Sequence, residues 1–424
     1  MPSPTAAPRV VLLGFTVPDE VLAEVMASDV RHATQTHTFA WGLVRALRAA
    51  GCSVRLLSAV PVSTYPGNGR LHFRPARFRH ADVDGRLLGF VNLLGLKHLT
   101  RFIAAWRAGG RELREQNVDV LLVHGVNTAF LWAAALLARR GVRVVPVLTD
   151  PPGVPLPTDG RLVRTLRRID VALVRAALGG CAGVVALTGP LADVYAPGRP
   201  RLIMEGIFNP PVAVRPHTVA APATRDIVYA GGLTRSYGVD RLVAAFRALP
   251  GEQLRLLLFG RGDLECWLRE QAAADPRIAL PELIDRDVLV GRLATAAVLV
   301  NPRPVDQDFV RYSFPSKLIE YLSAGVPVVT TRLPGIPADY AAHLAYAEPD
   351  TVDGLYEAIA GVLALPVKEA AARGAAGQAF VRHTRGTGPQ GLRLRAFLET
   401  LSRPLPIAPE GDPIAHTSAA RQSD

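Results

Sequence analysis

The chain has almost no lysine. Of 48 basic residues among 424, only Lys97, Lys317 and Lys368 are lysines, so arginine carries nearly all of the formal net charge of +11. That excess fits genome composition, or attraction to anionic lipid headgroups or phosphate-bearing ligands. Cysteine is equally sparse. Cys52, Cys181 and Cys266 lie far apart with no metal-like spacing, which excludes a disulfide framework or zinc module and leaves reduced core thiols. Aromatic residues make up only 6%, and no basic run is interleaved with them, which argues against a nucleic-acid partner. Although 49% of residues are hydrophobic, no uninterrupted apolar run is long enough to span a bilayer. The segment MPSPTAAPRVVLLGF has too brief an apolar run for a signal peptide and reads as a disordered cap before a buried strand. A cytoplasmic location follows as the expectation.

What is present is alternation. Apolar strand-like runs at 10–15, 53–59, 118–125, 142–149 and 183–188 are separated by helical patterns around 33–50, 100–116, 127–140, 161–178 and 189–195. A Pro- and Ala-rich stretch without periodicity, 209–225, reads as a linker. A second series follows at 226–232, 253–260, 277–280, 297–301, 326–331 and 343–347. The expected organisation is therefore an N-terminal Rossmann-like domain (1–208), the linker, a C-terminal Rossmann-like domain (226–385), a C-terminal helix (386–404) and a disordered tail (405–424). The fold class is α/β, with two parallel sheets flanked by helices. Ligands of such sheets bind at the carboxyl ends of the strands, so two of them enclose a central cleft.

The most informative stretch is FVRYSFPSKLIEYLSAGVPVVTTRLP, 309–334. Pro315 suits the first turn of a helix, and Lys317 and Glu320 share one helical face. A cation in that first turn can reach a diphosphate, and the carboxylate can accept ribose hydroxyls or instead pair with Arg311 or Lys317. Arg303 closes a buried strand, and Ser313 and Ser316 flank the same loop. A sugar nucleotide has the matching phosphate and hydroxyl ends. Two further strand ends point the same way. Gly231 and Gly232 precede Arg235, and Gly260-Arg261-Gly262 ends the strand LLLFG. Glycines let a backbone approach a phosphate, although plain turns explain both segments as well.

Glu320-Tyr-Leu-Ser-Ala-Gly325-Val-Pro327-Val-Val resembles the E-A-x-A-x-G-x-P-V-V motif of glycosyltransferase family 4. The variant PSK-x-x-E-Y-L is most like that of bacterial members that build surface polysaccharides and glycoconjugates. The resemblance covers 226–350 specifically and the first half loosely. It implies the GT-B fold, with the donor on the C-terminal half and the acceptor on the N-terminal half, and retention of anomeric configuration. It also implies a Glu320 that bonds the donor ribose. Three positions depart from the family. Gly232 stands where an Arg is expected and Tyr237 where a Lys is expected, so Arg235 is the candidate substitute clamp. Tyr312 replaces a second acid, which Asp306 or Asp308 could supply from the preceding loop; otherwise backbone amides position the donor sugar.

On the acceptor side, His32, Thr36 and His37 lie near a helix start, as cleft residues or as caps. Asp150, at the end of VLTDPPG, is the leading candidate for a general base or acceptor ligand, with an Asx-turn as the bland alternative. His124 and Glu205 are weaker candidates. No metal site is apparent; the nearest pattern is Asp306-Gln-Asp308, and protein cations with a helix dipole would stabilise the departing diphosphate. No cofactor is expected beyond the donor substrate itself. The segments 85–113 and 160–178 read as basic amphipathic helices, either membrane-facing or core-facing with solvated arginines.

The leading reading is a hexosyl- or related glycosyltransferase, cytoplasmic and peripheral at the inner face of the plasma membrane. It would use a UDP- or GDP-linked sugar and a saccharide or polyprenyl-linked acceptor. A sugar-nucleotide epimerase and a catalytically degenerate partner subunit are the alternatives.

Overall fold

The computed structural model describes residues 7–29, 34–152, 160–208, 225–282 and 284–401. His32, linker residues 209–224, the cap at 1–6 and the tail at 405–424 lie outside them, as do the side chains of Thr36 and Asp308.

The first half opens with β1 (Arg9–Gly14), α1 (Asp19–Ser28), α2 (Thr34–Ala49) and β2 (Ser53–Ser58). Four short strands follow: β3 (His72–Phe73), β4 (Ala76–His80), β5 (Val83–Leu87) and β6 (Phe90–Val91). Next come α3 (Leu96–Gln116), β7 (Val120–His124), α4 (Thr128–Ala138) and β8 (Arg143–Leu148). The half ends with α5 (Arg161–Leu178), β9 (Val184–Ala186), α6 (Gly189–Tyr195) and β10 (Arg201–Ile203). Eight strands form one sheet in the order β10-β9-β8-β7-β1-β2-β5-β4, parallel except for the β4–β5 hairpin at its edge.

In the second half, β11 (Arg225–Ala230), α7 (Val239–Ala248), β12 (Leu254–Phe259), α8 (Glu265–Ala274) and β13 (Ile278–Ala279) run to one side. The chain then returns through α9 (Arg286–Ala294), β14 (Val298–Asn301), α10 (Lys317–Ser323), β15 (Val328–Thr331) and β16 (Ala345–Ala347) to the other. The resulting six-stranded parallel sheet has the order β13-β12-β11-β14-β15-β16. Helices α11 (Val352–Leu363), α12 (Val367–Phe380) and α13 (Thr387–Thr400) follow as the last described elements.

The central strands are nearly continuous apolar runs because each sheet is covered on both faces. Successive side chains alternate between two cores. Val11 and Leu13 enter one while Val10 and Leu12 enter the other, and Ile227 and Tyr229 oppose Val228 and Ala230 in the same way. Strand order reverses between β1 and β7 and between β11 and β14. In such sheets the crevice at that reversal, beyond the strand carboxyl ends, receives the ligand.

Two expectations need correction. The stretch 85–113 is not one helix: it holds the end of β5, all of β6 and most of α3. Its Lys97 and Arg101 are buried, donating to the carbonyl oxygens of Val62 and Val60. Cys266 is exposed, so only Cys52 and Cys181 are core thiols.

The chain crosses between the sheets twice, side by side. Phe208 bridges Gly386 in parallel, and its N–H donates to the Arg385 carbonyl at 2.7 Å. Arg385 is buried there, with Nε donating to Glu205 Oε1 at 2.6 Å and Nη2 to Asp339. The Tyr340 hydroxyl donates to the same Glu205 oxygen at 2.9 Å, and the guanidinium lies over the Tyr340 and Phe380 rings. Burial pulls the Arg385 pKa down, but Glu205, Tyr340 and Asp339 more than offset that and raise it. Glu205 is therefore locked at the crossing rather than facing the cleft.

After the second crossing α13 lies on α2, where a Cβ on Gly391 would meet the Ala46 carbonyl oxygen at 2.1 Å. Removing one partner of a buried ion pair strands the other charge, at a cost of roughly 3–5 kcal/mol. Arg385→Met is thus expected to lower Tm clearly in a thermal melt, and the double change Arg385→Met with Glu205→Gln to recover part of that loss. A melt unchanged by Arg385→Met would contradict this account of the crossing.

Candidate functional site

The donor-side crevice is built from the loops after β11, β12 and β14 and from the start of α10. The first two interlock through glycine. A Cβ on Gly260, at φ +147°, would meet the Gly231 carbonyl oxygen at 1.8 Å, and one on Gly262 would meet that of Leu233 at 2.1 Å. Leu233 donates its N–H to the Arg261 carbonyl at 2.8 Å. These glycines hold two strand ends against each other, which gives the GRG turn a packing reason of its own. The Arg261 side chain points outward and pairs with Glu265 at 3.2 Å. Arg235 is exposed, 3.7 Å from Asp240.

Two departures from the family pattern explain each other. Tyr237 folds back over Gly232, where any Cβ would meet its ring at 2.8 Å. The ring in turn lies beneath the Arg303 guanidinium, 4.5 Å from centroid to Cζ, with the Phe309 ring at 5.6 Å on another side. Gly238, at φ +74°, makes this possible, since a side chain there would strike the Pro302 carbonyl oxygen at 2.1 Å. An Arg at 232 and a Tyr at 237 could not coexist in this geometry. A cation does stand across the crevice, Arg303 at the β14 end.

Arg303 is well held but incompletely satisfied. Its carbonyl accepts from Thr331 Oγ1, and its strand is tied to β15 by Asn301 Nδ2 donating to Thr330 Oγ1 at 2.9 Å. Arg303 Nη1 reaches Ser313 Oγ at 3.4 Å. Its Nε has no partner, and no acid among the described residues pairs with the group. Burial lowers its pKa, partly countered by Tyr237 and Tyr229, yet arginine stays charged at neutral pH. A half-buried cation with spare donors suits an anionic ligand.

Lys317 and Glu320 share the exposed face of α10, and Lys317 Nζ donates to Glu320 Oε2 at 2.8 Å. Both side chains are partly open to solvent. Next to Glu320, the Tyr321 hydroxyl is fully buried and accepts from the Ala230 N–H at 2.8 Å, pinning α10 to the end of β11. Ser316 is exposed and makes no capping bond. Tyr312, at the place of the family's second acid, packs against the first half's core, and its carbonyl accepts from Thr188 Oγ1 at 3.1 Å. Its position serves contact between the halves. Asp306 is exposed and accepts from Gln307.

On the acceptor side, Asp150 follows β8 and is exposed. His124 ends β7 at the strand-order reversal, buried beside Gly14, with Nε2 unpartnered among the described residues. Burial, helped by His37, holds its pKa down at about 4. His37 is tied to Asp19 at 2.9 Å. Among the described residues no three His, Cys, Asp or Glu side chains gather as a metal site.

Each half also matches a family model. Residues 36–196 match the glycosyl transferase 4-like domain and residues 224–364 match glycosyl transferases group 1, in the order the two sheets require. The chain is a GT-B glycosyltransferase. Sucrose-phosphate synthase from Thermosynechococcus elongatus superposes on the transferase with a TM-score of 0.63 at 17% identity, over 93% of this chain and 98% of that one. The α,α-trehalose 6-phosphate synthase of Burkholderia multivorans gives 0.60 at 15%, over 93% and 97%. HepE of Anabaena, in complex with UDP, gives 0.60 at 13%, over 93% and 99%. At these identities the likeness shows the fold. No curated protein matches the transferase by sequence. The epimerase alternative gains no support from either half.

Sequence reasoning missed Thr330, Thr331 and Tyr321, which fix Arg303 and α10. The threonines end the VPVVTT run, where hydroxyls on a doubly buried strand were the available signal.

A buried neutral imidazole makes the transferase acid-sensitive. Unfolded His124 titrates near about 6.5 and the folded group near 4. Between those values the unfolded state binds the extra proton, so stability falls as pH drops through that window, by ~3 kcal/mol in all. His124→Gln is expected to flatten that part of a Tm-against-pH curve. An identical slope in the variant would contradict the assignment.

Proposed function

We propose that the transferase moves a hexose-type sugar from a UDP- or GDP-linked donor to a saccharide or polyprenyl-linked saccharide acceptor. Transfer proceeds with retention, in surface polysaccharide or glycoconjugate synthesis. The observation that carries the reading is Arg303, a half-buried cation with no acid partner among the described residues, at the reversal point of the second sheet. There it neutralises the departing diphosphate as the anomeric carbon–oxygen bond breaks, which is the electrostatic role such a fixed donor performs best.

Lys317 supplies the second positive charge and Arg235 a peripheral one. The Lys317–Glu320 pair exchanges partners when the donor arrives. Lys317 turns to the phosphates, and Glu320 accepts the ribose hydroxyls. Ser313 and Ser316 donate to phosphate oxygens, while the backbone around Gly231, Gly232, Gly260 and Arg261 lines the nucleotide. Asp150 meets the acceptor hydroxyl from the first sheet, as its base or ligand. Protein cations suffice for the leaving group in this scheme, so it invokes no metal. The presence of UDP in HepE of Anabaena supports the donor class.

Calorimetric titration with UDP and GDP tests the proposal. One nucleotide is expected to bind saturably. Hydrogen bonds to charged groups contribute about 1.5–3 kcal/mol, so Glu320→Ala and Arg303→Met should each weaken binding roughly 10- to 100-fold. Failure of the wild-type chain to bind either nucleotide, or full affinity in Arg303→Met, would sink it.

A further inference from the structure

The first half turns an apolar surface outward. In α5, Leu162, Leu166, Ile169 and Leu173 recur at the spacing of one helical face, yet all four are exposed, Leu162 to 72%. The core takes Val174, Ala177 and Leu178 from another side of the same helix. Arg161, Arg164 and Arg168 stand exposed, with no acid partner among the described residues.

A second patch matches it. The turn from β6 into α3 exposes Leu94 to 88%, with Leu93, Leu96 and Leu99 exposed beside it. Both patches lie on one side of the molecule, because α4 packs against α3 and against α5. Both also sit at the same end. α3 and α5 each run back to begin a parallel strand, β7 and β9, so their first turns lie at the carboxyl edge of the sheet, beside the cleft.

We infer that the α5 stripe and the β6–α3 turn together dock the transferase on an anionic phospholipid bilayer, with the mouth of the cleft at the lipid surface. Contiguous exposed apolar patches of this kind mark interaction sites. Apolar residues flanked by arginines that have no acid partner among the described residues fit a headgroup layer that is negative outside and apolar beneath. The net charge of +11 pulls in the same direction. Lys97 and Arg101 take no part, since they are buried and hold the 60–64 loop. The inference deepens the lipid-linked acceptor reading above, and its test is independent of donor binding.

The full chain is sedimented with vesicles of phosphatidylglycerol mixed with phosphatidylcholine, and with vesicles of phosphatidylcholine alone. Strong binding to the first is expected, falling about tenfold on the second and in high salt. The double variant Leu162→Glu/Leu166→Glu and the single variant Leu94→Glu are each expected to lose about tenfold in partitioning with Tm unchanged. Arg161→Gln/Arg168→Gln is expected to lose binding only to the anionic vesicles. Wild type that stays in the supernatant, or glutamate variants that sediment like wild type, would overturn the inference. So would a wild-type dimer that becomes monomeric in the double variant without any vesicle binding, since the stripe would then join two copies of the chain.

Discussion

Everything about the cleft depends on how the two sheets are held at the double crossing, and that rests on one buried cation. Arg385 contacts Glu205 from the segment that leaves β10, Asp339 from the second half and two aromatic rings, while its own carbonyl receives Phe208. A pair this deeply buried adds little net stability over a well-packed apolar substitute, but it tolerates few alternative arrangements. That trade suits a hinge, where a small error in angle would displace residues at the cleft. Thr188 and Tyr312 provide a second fixed point between the halves.

The crevice of the second sheet holds its best-supported cation at the end of β14. The loop after β11 has lost both of its family cations, and read alone it looks inactivated. The structure joins the losses into one rearrangement. Gly232 leaves room for Tyr237, Tyr237 supports Arg303, and threonines on β15 hold the arginine's backbone. A guanidinium between aromatic rings is pre-oriented and keeps its fork of donors available.

Much of the architecture was legible because periodicity reports burial directly. Strands covered on both faces must be apolar at every position, so VVLLG, VDVLLV and RLLLF stood out and the structure has them within two residues. The insertion from 72 to 91 was missed because its strands are two to five residues long and their exposure does not alternate cleanly. The site was legible where residue type and helical spacing coincide, as at Lys317 and Glu320. It was opaque where function passes through packing. Nothing local in the sequence says that Glu205 meets Arg385 across 180 positions, or that Lys97 and Arg101 turn inward on a helix rich in arginine.

The return of α13 to the first half bears on how the chain is made. Leu394 and Leu398 fill the same core as Val10, Leu12, Trp41, Leu43 and Val44. During synthesis one face of the first sheet, covered in part by α2, therefore stays incomplete until nearly four hundred residues have been added. The second sheet, whose strands and helices are contiguous in sequence, is free to close before it. Completion of the first core is thus the last step that chain order permits, even though its strands are made first.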